Sequence, residues 1–329
     1  MKQAIIVNTE QSRKIGEIVG GLNFKDSFLE RDFLKLAVSK EIKTAMYYYA
    51  VGICHQTYHL ANPKLNLFGW DFLEYGFMEI ALQKPELLDA NYLDQLTPAD
   101  LIPLIQPFFA EDHIPEKCTL DTLEERAELW LNMAQFIAKS KSNHLEFIHK
   151  SNNSAEYFYQ HLPQITAYSD PLQKKSSFFM KLLEDSGLAN FGKDQKLIPI
   201  MDYHMQRVLL RSGCVEVLDE QLKLSLQNRE HLESDKEIRE ACIASMNIIA
   251  KTAGYSIFKM NDVFYTMGRS CCNETMLCES HNCEKTPCTL TLAVELGKHE
   301  HCIFQNICLG ATNSDYRKYW QPQVVTHFY

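Results

Sequence analysis

Helix-start signals recur along this chain, each followed by apolar residues at helical spacing, and little between them alternates as a strand would. Thr97-Pro98-Ala99-Asp100 puts a capping hydroxyl ahead of proline at the first helical position, and Asp121-Thr122-Leu123-Glu124 offers a carboxylate cap with glutamate three residues on. Asp170-Pro171 opens a helix carrying Leu172, Phe178, Phe179 and Leu182 that stops at Ser186-Gly187. Ser234-Asp235-Lys236-Glu237 is a further capping box, whose helix runs through Ile243, Met246 and Ile249 to Gly254. Residues 28–60 are apolar-periodic without proline or glycine before Gly52, which predicts one long helix or two abutting ones. Asp202 follows the apolar run Leu197-Ile198-Pro199-Ile200-Met201 and precedes a short helix ending near Gly213. Glycine is scarce, at 13 residues, as expected where hairpin turns are few. The predicted fold class is all-α.

Composition adds bounds to that picture. With 329 residues, 46% hydrophobic and 23% charged, the chain can bury a large core. We expect residues 1–260 to form a helical region of one or two intimate lobes, and residues 261–329 a cysteine-rich metal loop and tail. No stretch has the make-up of a secretion signal or the apolar length of a membrane span, so the expected address is the cytoplasm, with no membrane partner. A net charge of -9 repels polyanions, which counts against nucleic acid as a partner. Seven of the eleven cysteines lie between Cys271 and Cys308, a clustering that points to metal ligation rather than to disulfides.

Several residue groups can carry chemistry. Aspartate is a preferred N-cap, so Asp202 reads first as the cap of its helix. A carboxylate kept ionised there by the helix dipole can also stabilise the oxocarbenium-like transition state of glycosidic cleavage and orient the attacking water. Lys174 and Lys175, 28 and 27 residues before Asp202, are either a solvated face or a source of one ammonium for a substrate phosphate or for the aspartate. Tyr47-Tyr48-Tyr49, His55, Tyr58, His59 and Phe68-Gly69-Trp70-Asp71-Phe72 are either helix-packing core or a base platform. A purine-like base needs aromatic faces and a carboxylate for its N–H edge, and Trp70 with Asp71 can supply one of each. The C-terminal run reads Gly268-Arg269-Ser270-Cys271-Cys272, then Cys278, Cys283, Cys288, Cys302 and Cys308. Thiolates so spaced suit an iron–sulfur cluster or zinc, and the spares read as buried free thiols or as ligands of something else.

The ordered series Asn152-Asn153-Ser154-Ala155, Tyr168-Ser169-Asp170, Lys174-Lys175-Ser176-Ser177, Asp202-Tyr203-His204-Met205-Gln206 and Glu237-Ile238-Arg239 resembles the queuosine-salvage nucleoside hydrolases. Those proteins carry an Asn-Ser-Ala element, an aromatic-x-Asp, a Lys-Arg-Ala-Gln helix, an Ala-Asp-Tyr-Arg-x-Pro-Gln motif and a Glu-Ile-Arg in the same order. The likeness spans roughly residues 69–254. It implies a fold related to helix-hairpin-helix DNA glycosylases and release of queuine, a 7-deazaguanine base, from queuosine 5′-monophosphate or its nucleoside. It further implies Asp202 as the catalytic carboxylate and Lys174 as the motif lysine; Tyr168, Tyr203 and His204, which stand in the motifs, and Trp70 and Asp71, from the aromatic run, are the residues expected around the substrate. The tail resembles the cluster loop that closes many helix-hairpin-helix glycosylases, sharing Gly268-Arg269 before a cysteine and a Cys-x5-Cys pair at the end. Between these, an insertion carries Cys283 and Cys288. That resemblance implies Cys272, Cys278, Cys302 and Cys308 as ligands of a four-iron four-sulfur cluster, with Cys271, Cys283 and Cys288 as alternates and zinc as the alternative metal.

Three functions are thus in play. The first is hydrolysis of a free 7-deazaguanine nucleoside or nucleotide. The second is a DNA-repair glycosylase, disfavoured by the acidic chain and by the lack of a Leu-Pro-Gly-Val-Gly-like hairpin to hold a DNA phosphate. The third is a metal-bearing interaction protein without catalysis, favoured if Asp202 is a buried cap.

Overall fold

The computed structural model describes residues 4–192, 194–297 and 299–329, with Ser27 and Phe28 described by backbone alone. The chain is mostly helical, with helices at Pro98–Ile105, Leu123–Lys139, Lys174–Asp185, Tyr203–Ser212 and Lys236–Ala253 close to the expected starts, although the Ser234–Glu237 capping box does not form: Asp235 takes the N-cap position and Ser234 Oγ accepts from Lys236 N–H at 3.2 Å. Thr97 and Asp100 form the reciprocal capping box. Asp121 does not cap: its Oδ1 accepts from Arg126 Nη2 at 2.7 Å, a charge-assisted bond that outcompetes an N-cap. Residues 28–60 are not a continuous helix either. A 3-10 turn at Ser27–Glu30 and a one-turn helix at Asp32–Lys35 precede the Lys40–Gly52 helix, which Ser39 caps by accepting from Ile42 N–H at 3.2 Å. Among the described residues four strands of two or three residues also occur, too short for any alternation to register. Among the described residues no helix is long and apolar enough to cross a membrane.

The chain divides into two compact units, and not at residue 260, which adjoins the interior of the Ile257–Arg269 helix. One unit combines Met1–Phe28 with Leu197–Val325. In it, strand Ile5–Val7 pairs antiparallel with Val215–Val217, Ile6 opposite Glu216. The Thr9–Gly20 helix then lies along Lys236–Ala253. Gly16 permits that approach, because a Cβ there would meet Thr252 Cβ at 2.7 Å, and Ser12 Oγ bonds Ser245 Oγ at 2.9 Å across the seam. Ile15, Val19, Met205, Leu209, Met246, Ile249, Val263 and Phe264 fill the core between these helices. Burial of each such side chain contributes about 1.5–3 kcal/mol.

The Tyr203–Ser212 helix packs on Ile257–Arg269, and Gly268 is where they touch. A Cβ on Gly268 would stand 2.8 Å from both His204 Cβ and the His204 carbonyl oxygen. We therefore expect Gly268→Ala to cost about 1–3 kcal/mol through overpacking, read as a lower urea midpoint at unchanged m-value. An unchanged midpoint would show that the two helices separate freely.

The second unit combines Leu29–Lys196 with Thr326–Tyr329. Its centre is the Lys40–Gly52 helix, buried continuously from Thr44 to Gly52. Tyr48 stacks on Tyr168 at 5.5 Å and Tyr49 on Trp130 at 5.5 Å, so the consecutive tyrosines are core. Helices Trp70–Gln83, Leu123–Lys139 and Lys174–Asp185 surround it.

Candidate functional site

Asp202 is the N-cap of Tyr203–Ser212: its backbone is extended, and Oδ1 accepts from Met205 N–H at 2.9 Å. The carboxylate is 8% exposed. Aromatic and cationic side chains follow immediately. The Tyr203 ring lies 4.2 Å from that of His204, His204 meets the edge of Tyr265 at 5.5 Å, and Arg269 sits over Tyr265 at 5.4 Å. Burial first, and then the charges of Arg207, Arg269 and Lys285, hold His204 neutral. Its Nδ1 lies 3.2 Å from Arg207 Nη2, an obligate donor, which leaves the ring proton on Nε2.

Arg207 was not singled out by sequence, yet it organises this region. Its guanidinium, 1% exposed, donates to the carbonyls of Gly268 and Cys272, to Asn273 Oδ1 at 2.8 Å and to Gln321 Oε1, and stacks on Trp320 at 4.4 Å. Burial pushes its pKa down to about 10, so it stays charged at neutral pH. One side chain thereby ties the Asp202 helix to the end of the Ile257–Arg269 helix and to the start of the cysteine-rich segment.

The seven C-terminal cysteines separate into two groups. Cys271, Cys283, Cys288 and His299 bring one ligand atom each to within 4.8 Å of one another and can hold a metal ion. Cys271 Sγ lies 3.4 Å from Cys288 Sγ and 3.4 Å from His299 Nε2. No disulfide joins these cysteines. Cys288 is the readiest thiolate, pulled down to about 4 first by the hydrogen bond from Cys271 and further by Ser270, whose Oγ is 3.2 Å away. His299, the histidine of this group, is a candidate ligand that a count of cysteines passes over. The spacing Cys283-x4-Cys288 with a histidine downstream was its available signal.

Cys272 points elsewhere than its neighbour Cys271. Arg211 Nη1 lies 3.7 Å from Cys272 Sγ, and Cys308 Sγ lies 3.7 Å from the Arg211 carbonyl. Burial first, and then the proximity of the Cys272 thiol, raises the thiol pKa of Cys278, Cys302 and Cys308, the last to about 12. An all-thiol donor set beside a compensating guanidinium fits an iron–sulfur cluster, whose ligation leaves net negative charge.

In the second unit, both lysines expected on a solvated face are buried, Lys174 at 7% and Lys175 at 0% exposure. The Asp170 carboxylate explains where their helix begins, accepting from Leu172 N–H and Lys174 N–H at 2.9 Å each. Lys174 Nζ lies 3.4 Å from Cys54 Sγ and 5.1 Å from the centre of the Phe178 ring. Lys175 Nζ donates to the Gly52 carbonyl, and burial pushes its pKa down to about 7. Trp70 packs on Phe178 at 4.8 Å and donates to Glu74 Oε1 at 2.6 Å, so Lys174, Phe178 and Trp70 form one group. Asp71 is half-buried in the first turn of the Trp70–Gln83 helix. Tyr168 is wholly buried, its hydroxyl donating to the Tyr48 carbonyl at 2.6 Å. Cys54, Glu74 and Phe178 are neighbours that sequence spacing did not nominate for this group.

No family model matches the chain, and no curated protein matches it.

Proposed function

We propose that this protein hydrolyses an N-glycosidic bond, releasing a 7-deazaguanine base of the queuine type from its nucleoside or nucleoside 5′-phosphate. The observation that carries the reading is a carboxylate seated at the N-terminus of the helix that carries Tyr203 and His204, within a motif order that resembles that of the queuosine-salvage hydrolases. A 7-deaza base lacks the N7 through which purines are commonly protonated, so the reaction leans on stabilising the sugar cation. In this reading the C1′–N bond breaks with its electron pair moving to the base, which takes up a proton. Asp202 offsets the positive charge at C1′, and a water oxygen then bonds to C1′ as its proton passes to the carboxylate or to solvent. The relationship of fold to helix-hairpin-helix glycosylases belongs to the same proposal.

Cys272, Cys278, Cys302 and Cys308 are proposed to hold an iron–sulfur cluster of the four-iron type that braces the C-terminal segment, zinc being the alternative. The cytoplasm suits eleven cysteines that form no disulfide.

Purified protein incubated with queuosine, its 5′-phosphate and lesion-bearing duplex should release base from the first two and not from the duplex, as read by mass spectrometry. Release from the duplex alone would replace salvage with DNA repair. Lys174→Ala should impair the 5′-phosphate more than the nucleoside if the lysine holds the phosphate; equal loss on both would give it a role at the sugar instead. A second reading, a metal-bearing interaction protein without catalysis, draws on the 8% exposure and capping bond of Asp202, and base release from neither small substrate would establish it.

A further inference from the structure

The insertion that separates the paired cysteines of the tail carries a donor set of its own. Ligands on a tetrahedral zinc, at about 2.3 Å for sulfur and about 2.0 Å for nitrogen, stand about 3.5–3.8 Å from one another. Both recorded separations, Cys271 Sγ to Cys288 Sγ and Cys271 Sγ to His299 Nε2, are 3.4 Å, close to the edges of that tetrahedron. The four atoms all lie within 4.8 Å of one another, which suits one ion and not a cubane, whose four corners hold thiolates farther apart. Two of the donors are buried and two are half-buried, so the group is closed by protein as structural zinc sites are. Among the described residues His299 Nδ1 is also buried with no hydrogen-bond partner.

We propose that Cys271, Cys283, Cys288 and His299 hold a single structural zinc ion, a second metal centre distinct from the group formed by Cys272, Cys278, Cys302 and Cys308. Three thiolates and a neutral imidazole are the donors a structural zinc takes, and any protons the thiols carry pass to solvent on binding. Ser270, donating to Cys288 Sγ at 3.2 Å, orients one ligand. The ion ties the inserted segment to the end of the Ile257–Arg269 helix, through Cys271 two residues beyond it. Adjacent residues thus serve different centres, Cys271 one and Cys272 the other.

Elemental analysis of the full-length protein, purified anaerobically without chelator, should give one zinc per chain besides any iron. His299→Ala and Cys283→Ser should each lose that zinc and keep the iron and its visible absorption; Cys302→Ser should lose iron and keep zinc. Zinc retained at one per chain in His299→Ala, or iron lost together with zinc in both insertion variants, would overturn the proposal. Should the variants prove insoluble, zinc-edge X-ray absorption of the wild type decides alone. Three sulfur neighbours at about 2.3 Å and one nitrogen at about 2.0 Å are expected. Four sulfurs, or no zinc at all, would sink the assignment. The zinc count is independent of base release, so failure of one reading leaves the other standing.

Discussion

Asp202→Asn is expected to lower base release by about a hundredfold or more while leaving the protein folded. The substitution separates the two things this side chain can do. An amide oxygen still accepts from Met205 N–H, so the cap at 2.9 Å survives and the helix start is kept. What is lost is the negative charge, the property needed opposite an oxocarbenium. Circular dichroism and the urea midpoint should match wild type, and the rate with queuosine and its 5′-phosphate should collapse. Retention of more than about a tenth of the rate would reduce Asp202 to a cap, because a lost electrostatic stabiliser of a transition state costs far more than that. Asp202→Ala is the informative companion, since it should show the same rate loss together with about 1 kcal/mol of instability from the missing cap.

The second large effect is expected at Arg207. Truncation to alanine would remove the donor to the Gly268 carbonyl, Asn273 Oδ1 and Gln321 Oε1 in a largely buried region, and leave the Cys272 carbonyl with Arg211 Nη1 at 3.2 Å. Each buried acceptor so orphaned costs about 1–3 kcal/mol, so the three together cost at least about 3 kcal/mol, a large share of a total stability of about 5–15 kcal/mol. The Trp320 ring would also lose a guanidinium at 4.4 Å. Thermal unfolding followed at the tryptophans should shift sharply downward, and iron retention should fall because the start of the cysteine-rich segment is no longer held. An unchanged melting temperature would mean that water replaces the guanidinium without cost.

Helix starts were legible where the cap is a local bargain between a side chain and the next turn. Thr97 with Asp100, and Asp202 with Gly213 closing its helix, follow from residues three to eleven positions apart. Asp121 failed as a predicted cap because Arg126, one turn along the same helix, competes for its carboxylate, and the strength of that competition depends on burial that sequence does not display. The break at Leu36 carries neither proline nor glycine, and Ser39 alone announces the helix that follows. Lys174 and Lys175 read as solvated because lysine normally is; their burial depends on Gly52 and Cys54, more than a hundred residues away. At the tail the cysteines declared metal binding. Their division into two groups depends on the different neighbours of the Cys271 and Cys272 sulfurs, which no spacing rule encodes.

The pairing of Ile5–Val7 with Val215–Val217, and of the Thr9–Gly20 helix with Lys236–Ala253, has a consequence for synthesis on the ribosome. The first strand and helix emerge more than two hundred residues before their partners, which at about 5–20 residues per second is a wait of about 10–40 s. Throughout that interval Ile15 and Val19, 0% exposed in the finished protein, have nothing native to pack against, while the intervening Leu29–Lys196 already has its own core to form. Nascent chains should therefore acquire protease resistance in the middle first, and the amino-terminal twenty residues should remain the site of chaperone engagement until translation passes Ala253.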